Sequence, residues 1–102
     1  VRDCQWVGLH SYWQDGYEGA MREAMIADEF AEDAGLPVYV TEFSNPAPNY
    51  DKAAKAREYL RFVEYLDGVE AAFSFVESAS AGFAHETWRG SAIPGIIGAR
   101  VV

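Results

Sequence analysis

The chain has 102 residues, 50% hydrophobic, 24% charged and 15% aromatic, a composition that suits one packed domain and argues against disorder. Its formal net charge of -8 disfavours tight binding to nucleic acid, because too few cations are present to replace the counterions of a phosphate backbone. The single cysteine, Cys4, allows neither an internal disulfide nor a thiolate zinc site, and no apolar run reaches the ~20 residues that cross a bilayer.

Short apolar runs alternate with longer amphipathic ones, the pattern of βα units that feed a parallel sheet. The first run, Trp6-Val7-Gly8-Leu9, reads as a strand. Asp15 with Glu18 three residues later resembles a capping box that opens a helix. Ala20, Ala24, Ala27, Ala31 and Ala34, with Met21, Met25 and Phe30, recur at helical spacing and form its expected core stripe. Gly35 suits a left-handed C-terminal position and Pro37 blocks continuation, so the helix is expected to stop near Ala34.

Val38-Tyr39-Val40 has the β-branched and aromatic character of a buried strand and leads into Thr41-Glu42. Ser44, Asn45, Pro46, Pro48 and Asn49 mark a loop. A second helix is expected from about Asp51 to Leu66, with Ala53, Ala56, Leu60 and Val63 as its apolar stripe and Gly68 just beyond it. Ala71 to Val76 forms a third strand, and Leu9, Val40 and Phe73 stand about one βα unit apart. An irregular segment from Ser78 to Gly90 and a Gly-broken apolar tail from Ile93 to Val102 complete the chain. The expected architecture is therefore α/β, βαβαβ with parallel strands, in a single domain over residues 1-102.

Crossovers of one hand bring all strand C-terminal ends to one edge of such a sheet, and that edge carries the functional loops. Here it would gather His10, Ser11 and Tyr12, then Glu42, then Glu77 and Ser78. Cleavage of a glycosidic bond with retention needs a carboxylate nucleophile about 5 to 5.5 Å from a second carboxylic acid. Glu42, at the end of a buried strand, is placed for the first of these roles, while His10 and Tyr12 share one face of the neighbouring strand and can hold it ionised. No serine stands in a nucleophile elbow, no Gly-rich phosphate loop is present, and His85-Glu86 lack a third metal ligand, so neither a cofactor nor a metal is expected.

His10-Ser11-Tyr12 resembles the His-x-Tyr signature at the sixth strand of the clan A glycoside hydrolases, the (βα)8 TIM-barrel superfamily of cellulases, mannanases, xylanases and β-glucosidases. Pro37-Val38-Tyr39-Val40-Thr41-Glu42-Phe43 resembles the segment around their seventh strand, which ends in the nucleophilic glutamate, and the order and separation of the two motifs also match. The resemblance covers about the first half of the chain. It implies a partial barrel holding strands six to eight, a retaining hydrolase of β-glycosidic bonds in carbohydrates with Glu42 as catalytic nucleophile, and His10 and Tyr12 as substrate-binding residues on the non-reducing side. Where many members carry a tryptophan platform near the eighth strand this chain has Phe75, Val76 and Glu77, so Trp13 and Trp88 are the candidates for stacking on sugar, and Glu77 a further substrate-binding residue. Secretion is compatible with the resemblance.

The acid/base of the clan follows an asparagine on the fourth strand, and no Asn-Glu pair occurs here. That strand would precede Val1, so the chain alone is expected not to hydrolyse glycosides. Three strands with two helices leave edges and one face open, which predicts association with the missing N-terminal half of a barrel or with copies of the chain. Other readings stand beside this one. The chain can be a non-catalytic half-barrel that binds sugar or serves assembly, or a βαβ domain of another superfamily in which Glu42 is a solvated loop residue. In the last case His10 is a satisfied core histidine, and Trp13 and Trp88 merely cover apolar surface.

Overall fold

The computed structural model describes residues 3–48 and 51–75. In chain order these form β1 (Val7–Tyr12), α1 (Tyr17–Ala34), β2 (Val38–Ser44), α2 (Lys52–Tyr65) and β3 (Ala71–Ser74). The strands make one open parallel sheet in the order β1-β2-β3, so the protein is a small α/β domain with both helices over one face. The expected Ser78–Gly90 segment and Ile93–Val102 tail lie outside the described residues, as do Asn49, Val76, Glu77, His85, Glu86 and Trp88.

The covered face is built by strand alternation. Along β1, Leu9, Ser11 and then Trp13 turn toward the helices, while Gly8, His10 and Tyr12 turn away. Val38, Val40 and Phe43 do the same on β2, and all three are at most 2% exposed. Against them lie Ala20, Ala24 and Ala27 of α1 and Ala56, Tyr59 and Phe62 of α2. Alanines let α1 sit close to the sheet; the volume is filled instead by a block of four rings, Trp13, Phe43, Tyr59 and Phe62, with centroids 4.8 to 6.4 Å apart.

Several element ends differ from the sequence reading. α1 starts after Gly16, whose φ of 69° is left-handed, and no side chain caps it; Asp15 instead accepts from Arg22 Nη1 at 3.2 Å, so the expected capping box does not form. Its other end behaves as expected, with Gly35 at φ 65°. On α2, Asp51 caps through Ala54 N at 3.1 Å. Gly68 does not take a left-handed conformation. Its amide and that of Asp67 donate to Asp28 Oδ1 at 3.2 and 2.9 Å, which ties the end of α2 to the middle of α1.

The helix faces are corrected too. Met25 and Phe30, assigned to the core stripe of α1, are exposed, and so is Ala53 on α2. The buried face of α2 runs instead through Lys55, Ala56, Glu58, Tyr59 and Phe62. Of the two charged residues on it, Glu58 is used in a buried hydrogen bond, accepting from Asn45 Nδ2 at 3.1 Å.

Candidate functional site

The C-terminal ends of three parallel strands lie along one edge, and β2 reaches that edge with an irregularity. Val7, Gly8 and Leu9 stand opposite Val38, Tyr39 and Val40, but His10 then stands opposite Glu42, not Thr41. On the other side Val40 pairs with Ala72 and Phe43 with Ser74, so two residues of β2 face one of β3. Thr41 is thus the extra residue of a β-bulge, a device that re-aims side chains. Without it strict alternation would send Glu42 under the helices and Phe43 out. With it, Thr41 and Glu42 both emerge on the helix-free face while Phe43 keeps its place in the core.

The bulge needs room on the neighbouring strand. A Cβ on Gly8 would come within 3.2 Å of Thr41 Cγ2 and 3.3 Å of the Trp6 ring, so a bare backbone there lets Thr41 pack inward. Thr41 Oγ1 reaches back to the carbonyl of Leu9 at 3.5 Å, a long contact that contributes little.

On this face the structure brings Glu42, His10 and Tyr12 together. The Tyr12 hydroxyl donates to Glu42 Oε2, and His10 Nδ1 lies 3.5 Å from the same oxygen, an ion pair when the imidazole is protonated. Tyr12 is set edge-on between His10 and Phe75, with centroids 6.2 and 6.4 Å away. Among the described residues Glu42 Oε1 has no hydrogen-bond partner. One oxygen of the carboxylate is therefore held by the phenol, with the imidazole 3.5 Å away. His10 is exposed, so it is not a core histidine.

Trp13 does not belong to this face. At 5% exposure, stacked on Phe62 and edge-on to Tyr59, it is part of the core and offers no ring to a sugar. The aromatic surface of the helix-free face is supplied by residues the sequence reading did not select: Trp6, Tyr39 and Phe73, which with Thr41 line a shallow trough of about 280 Å3 nearer the N-terminal ends of the strands. Trp6 is 52% and Phe73 56% exposed. Glu77 and Trp88 fall outside the described residues.

Behind the site a buried polar cluster fixes the end of β2. Tyr59 Oη accepts from Asn45 N at 2.9 Å and shares a hydrogen bond with Ser44 Oγ at 3.0 Å. Asn45 donates to Glu58, and its Oδ1 accepts from Ala47 N at 3.0 Å, closing a turn. Ser44 and Asn45, read from the sequence as loop markers, are both completely buried. The signal for them was present in Tyr59, whose hydroxyl required partners once its ring entered the core.

A second cleft of about 300 Å3 opens next to Tyr12 and is lined by Trp13, Gln14, Asp15, Arg22, Glu23 and Pro46. Burial raises the carboxyl pKa of Glu23, with Arg22 pulling it partly back. A raised folded-state pKa means that the folded chain holds the proton more tightly than the unfolded one, so ionised Glu23 opposes folding as pH rises. Glu23→Gln is expected to raise the urea midpoint at pH 7, and the gain is expected to vanish below about pH 3, where the glutamate is neutral in both the folded and the unfolded chain.

Among the described residues no group of three His, Cys, Asp or Glu could hold a metal ion, and no helix is long and apolar enough to cross a membrane. Comparison with protein-family models, with curated proteins and with solved structures finds no match to this chain.

Proposed function

We propose that the chain is the nucleophile-bearing part of a retaining β-glycoside hydrolase, in which β1, β2 and β3 correspond to strands six, seven and eight of a (βα)8 barrel. The observation that supports this reading best is the carboxylate of Glu42 at the C-terminal end of a parallel strand, hydrogen-bonded by Tyr12 and approached by His10 on the same oxygen. In that role Glu42 Oε1 attacks the anomeric carbon, and the C–O bond to the leaving group breaks as the glycosyl ester forms. Tyr12 steadies the carboxylate while its charge is being lost to the sugar. His10 and Tyr12, at the C-terminal rim, contact the carbohydrate, while Trp6, Tyr39 and Phe73 face the interior of the barrel. Since the sequence contains no Asn-Glu pair, the leaving-group acid comes from a polypeptide joined or bound to this one.

The nucleophile can be tested without its acid. A 2-deoxy-2-fluoro-β-glycoside carrying a dinitrophenolate leaving group needs no protonation to depart, and the fluorine slows hydrolysis of the ester. Incubating the chain with the gluco and manno reagents is expected to give an adduct that peptide mapping places on Glu42. Glu42→Gln is expected to remove the adduct, and Tyr12→Phe to slow its formation roughly ten- to a hundredfold, the worth of one hydrogen bond to a charged group. An adduct elsewhere, or unchanged labelling of the Glu42 variant, would contradict the nucleophile assignment. Binding of the sugar by an assembled protein without any adduct would favour the alternative, a non-catalytic half-barrel that holds carbohydrate.

A further inference from the structure

On the helix side of the sheet, away from Glu42, a cleft of about 300 Å3 opens between the two helices, lined by Tyr17 of α1 and by Ala54, Arg57, Glu58 and Arg61 of α2. Arg57 and Arg61 are four residues apart, so they share one side of α2, and both are exposed. Arg61 reaches across to α1: its Cζ lies 5.6 Å from the centre of the Tyr17 ring, and its Nη1 is 3.3 Å from Glu64 Oε2. Glu58 is only 3% exposed and forms the inner wall. One of its oxygens, Oε2, accepts from Asn45. The other, Oε1, is buried without a hydrogen-bond partner among the described residues.

The cleft carries charges of both signs, one buried and two at the surface, and these say what it would accept. A buried carboxylate oxygen needs a donor, and a cationic donor also compensates its charge. At the surface, guanidinium groups present paired N–H donors whose geometry suits a carboxylate. Arg57 makes no ion pair among the described residues, and the exposed pair of Arg61 with Glu64 is a weak one that a ligand can replace. α2 is also the basic element of an acidic chain: it holds Lys52, Lys55, Arg57 and Arg61 against Glu58 and Glu64, within a net charge of -8. Ala54 and the Tyr17 ring add apolar surface. The volume is at the small end for ligand pockets, which suits one amino acid better than a peptide.

We propose that this cleft binds a free apolar amino acid, its ammonium donating to Glu58 Oε1, its carboxylate held by Arg57 and Arg61, and its side chain against Ala54 and Tyr17. Such a ligand carries both charged ends on one carbon, whereas a peptide offers one of them at each terminus. Through Asn45, Glu58 also belongs to the polar cluster that fixes the end of β2, so the ligand meets that cluster from behind. The site does not depend on Glu42 acting on a sugar.

The experiment follows the amide resonances of the isotope-labelled full chain during titration with leucine, with leucinamide, which lacks the carboxylate, and with N-acetyl-leucine, which lacks the ammonium. Leucine is expected to shift Tyr17, Arg57, Glu58 and Arg61, and to bind at least about tenfold more tightly than either blocked form. Arg57→Gln, a change at an exposed residue, is expected to weaken leucine about tenfold and to leave leucinamide unchanged. Glu58→Gln is expected to weaken leucine and to leave N-acetyl-leucine unchanged. Failure of leucine to bind at millimolar concentration, or equal binding of the three compounds, overturns the proposal. So do shifts centred elsewhere in the chain, or an Arg57→Gln variant that binds leucine as the original does. Labelling of Glu42 can succeed or fail without altering any of these outcomes.

Discussion

Phe62→Ala is expected to cost about 3–5 kcal/mol of folding stability, the range for emptying a fully buried aromatic site. Phe62 is completely buried, with ring centroids 4.8 Å from Phe43 and 5.3 Å from Trp13. No long aliphatic side chain of α1 can move into the space, because that helix meets the sheet with Ala20, Ala24 and Ala27. A domain of this size usually holds about 5–15 kcal/mol in total. Urea titration should therefore show a midpoint far below that of the original chain. A loss below about 1 kcal/mol would mean that the ring is not where the four-ring block requires it.

The second large effect joins stability to the site. Tyr59→Phe removes the acceptor of Asn45 N–H and the hydroxyl partner of Ser44, both completely buried, while leaving the ring in place. A buried donor left without an acceptor costs about 1–3 kcal/mol. Because Ser44 and Asn45 follow Glu42 by only two and three residues, the same change releases the end of β2. Slower covalent labelling of Glu42 is expected together with the lower urea midpoint. Unchanged labelling with reduced stability would show that the polar cluster supports the core alone. A Tyr59→Phe variant as stable as the original would show that the cluster contributes nothing.

Much of the fold was legible in the sequence because its punctuation is strong. Gly35 with Pro37 stops α1, Asp51 caps α2, and the apolar runs around Leu9, Val40 and Phe73 each enter the sheet. The helix faces were less legible. Met25 and Phe30 fit the spacing of a core stripe, yet spacing cannot tell a face covered by the sheet from an apolar flank left open. On α2 the stripe of Ala53, Ala56, Leu60 and Val63 gave no sign that Glu58 is buried, and it is the buried amide of Asn45 that gives Glu58 a place inside.

The site was legible as a set of residues and not as a geometry. Glu42, His10 and Tyr12 were selected for their chemistry at strand ends, but simple alternation from Val38 and Val40 would have turned Glu42 toward the helices. The clue lay in Phe43, which is apolar one position out of phase with Val38 and Val40; only an extra residue at Thr41 reconciles the three. Gly8 belongs to the same device, since it leaves the space that Thr41 occupies. Trp13 was left open between stacking on sugar and covering apolar surface, and continuing the alternation of β1 by one residue puts it in the core.

The pairing of β1 with β2 can be read directly from backbone contacts in solution. Cross-strand nuclear Overhauser effects on the isotope-labelled chain are expected to connect Leu9 with Val40 and then His10 with Glu42, passing over Thr41, with further contacts between the Tyr12 ring and the Glu42 side chain. Contacts that continue in step, His10 with Thr41 and Ser11 with Glu42, would place the carboxylate on the helix side of the sheet and contradict the account.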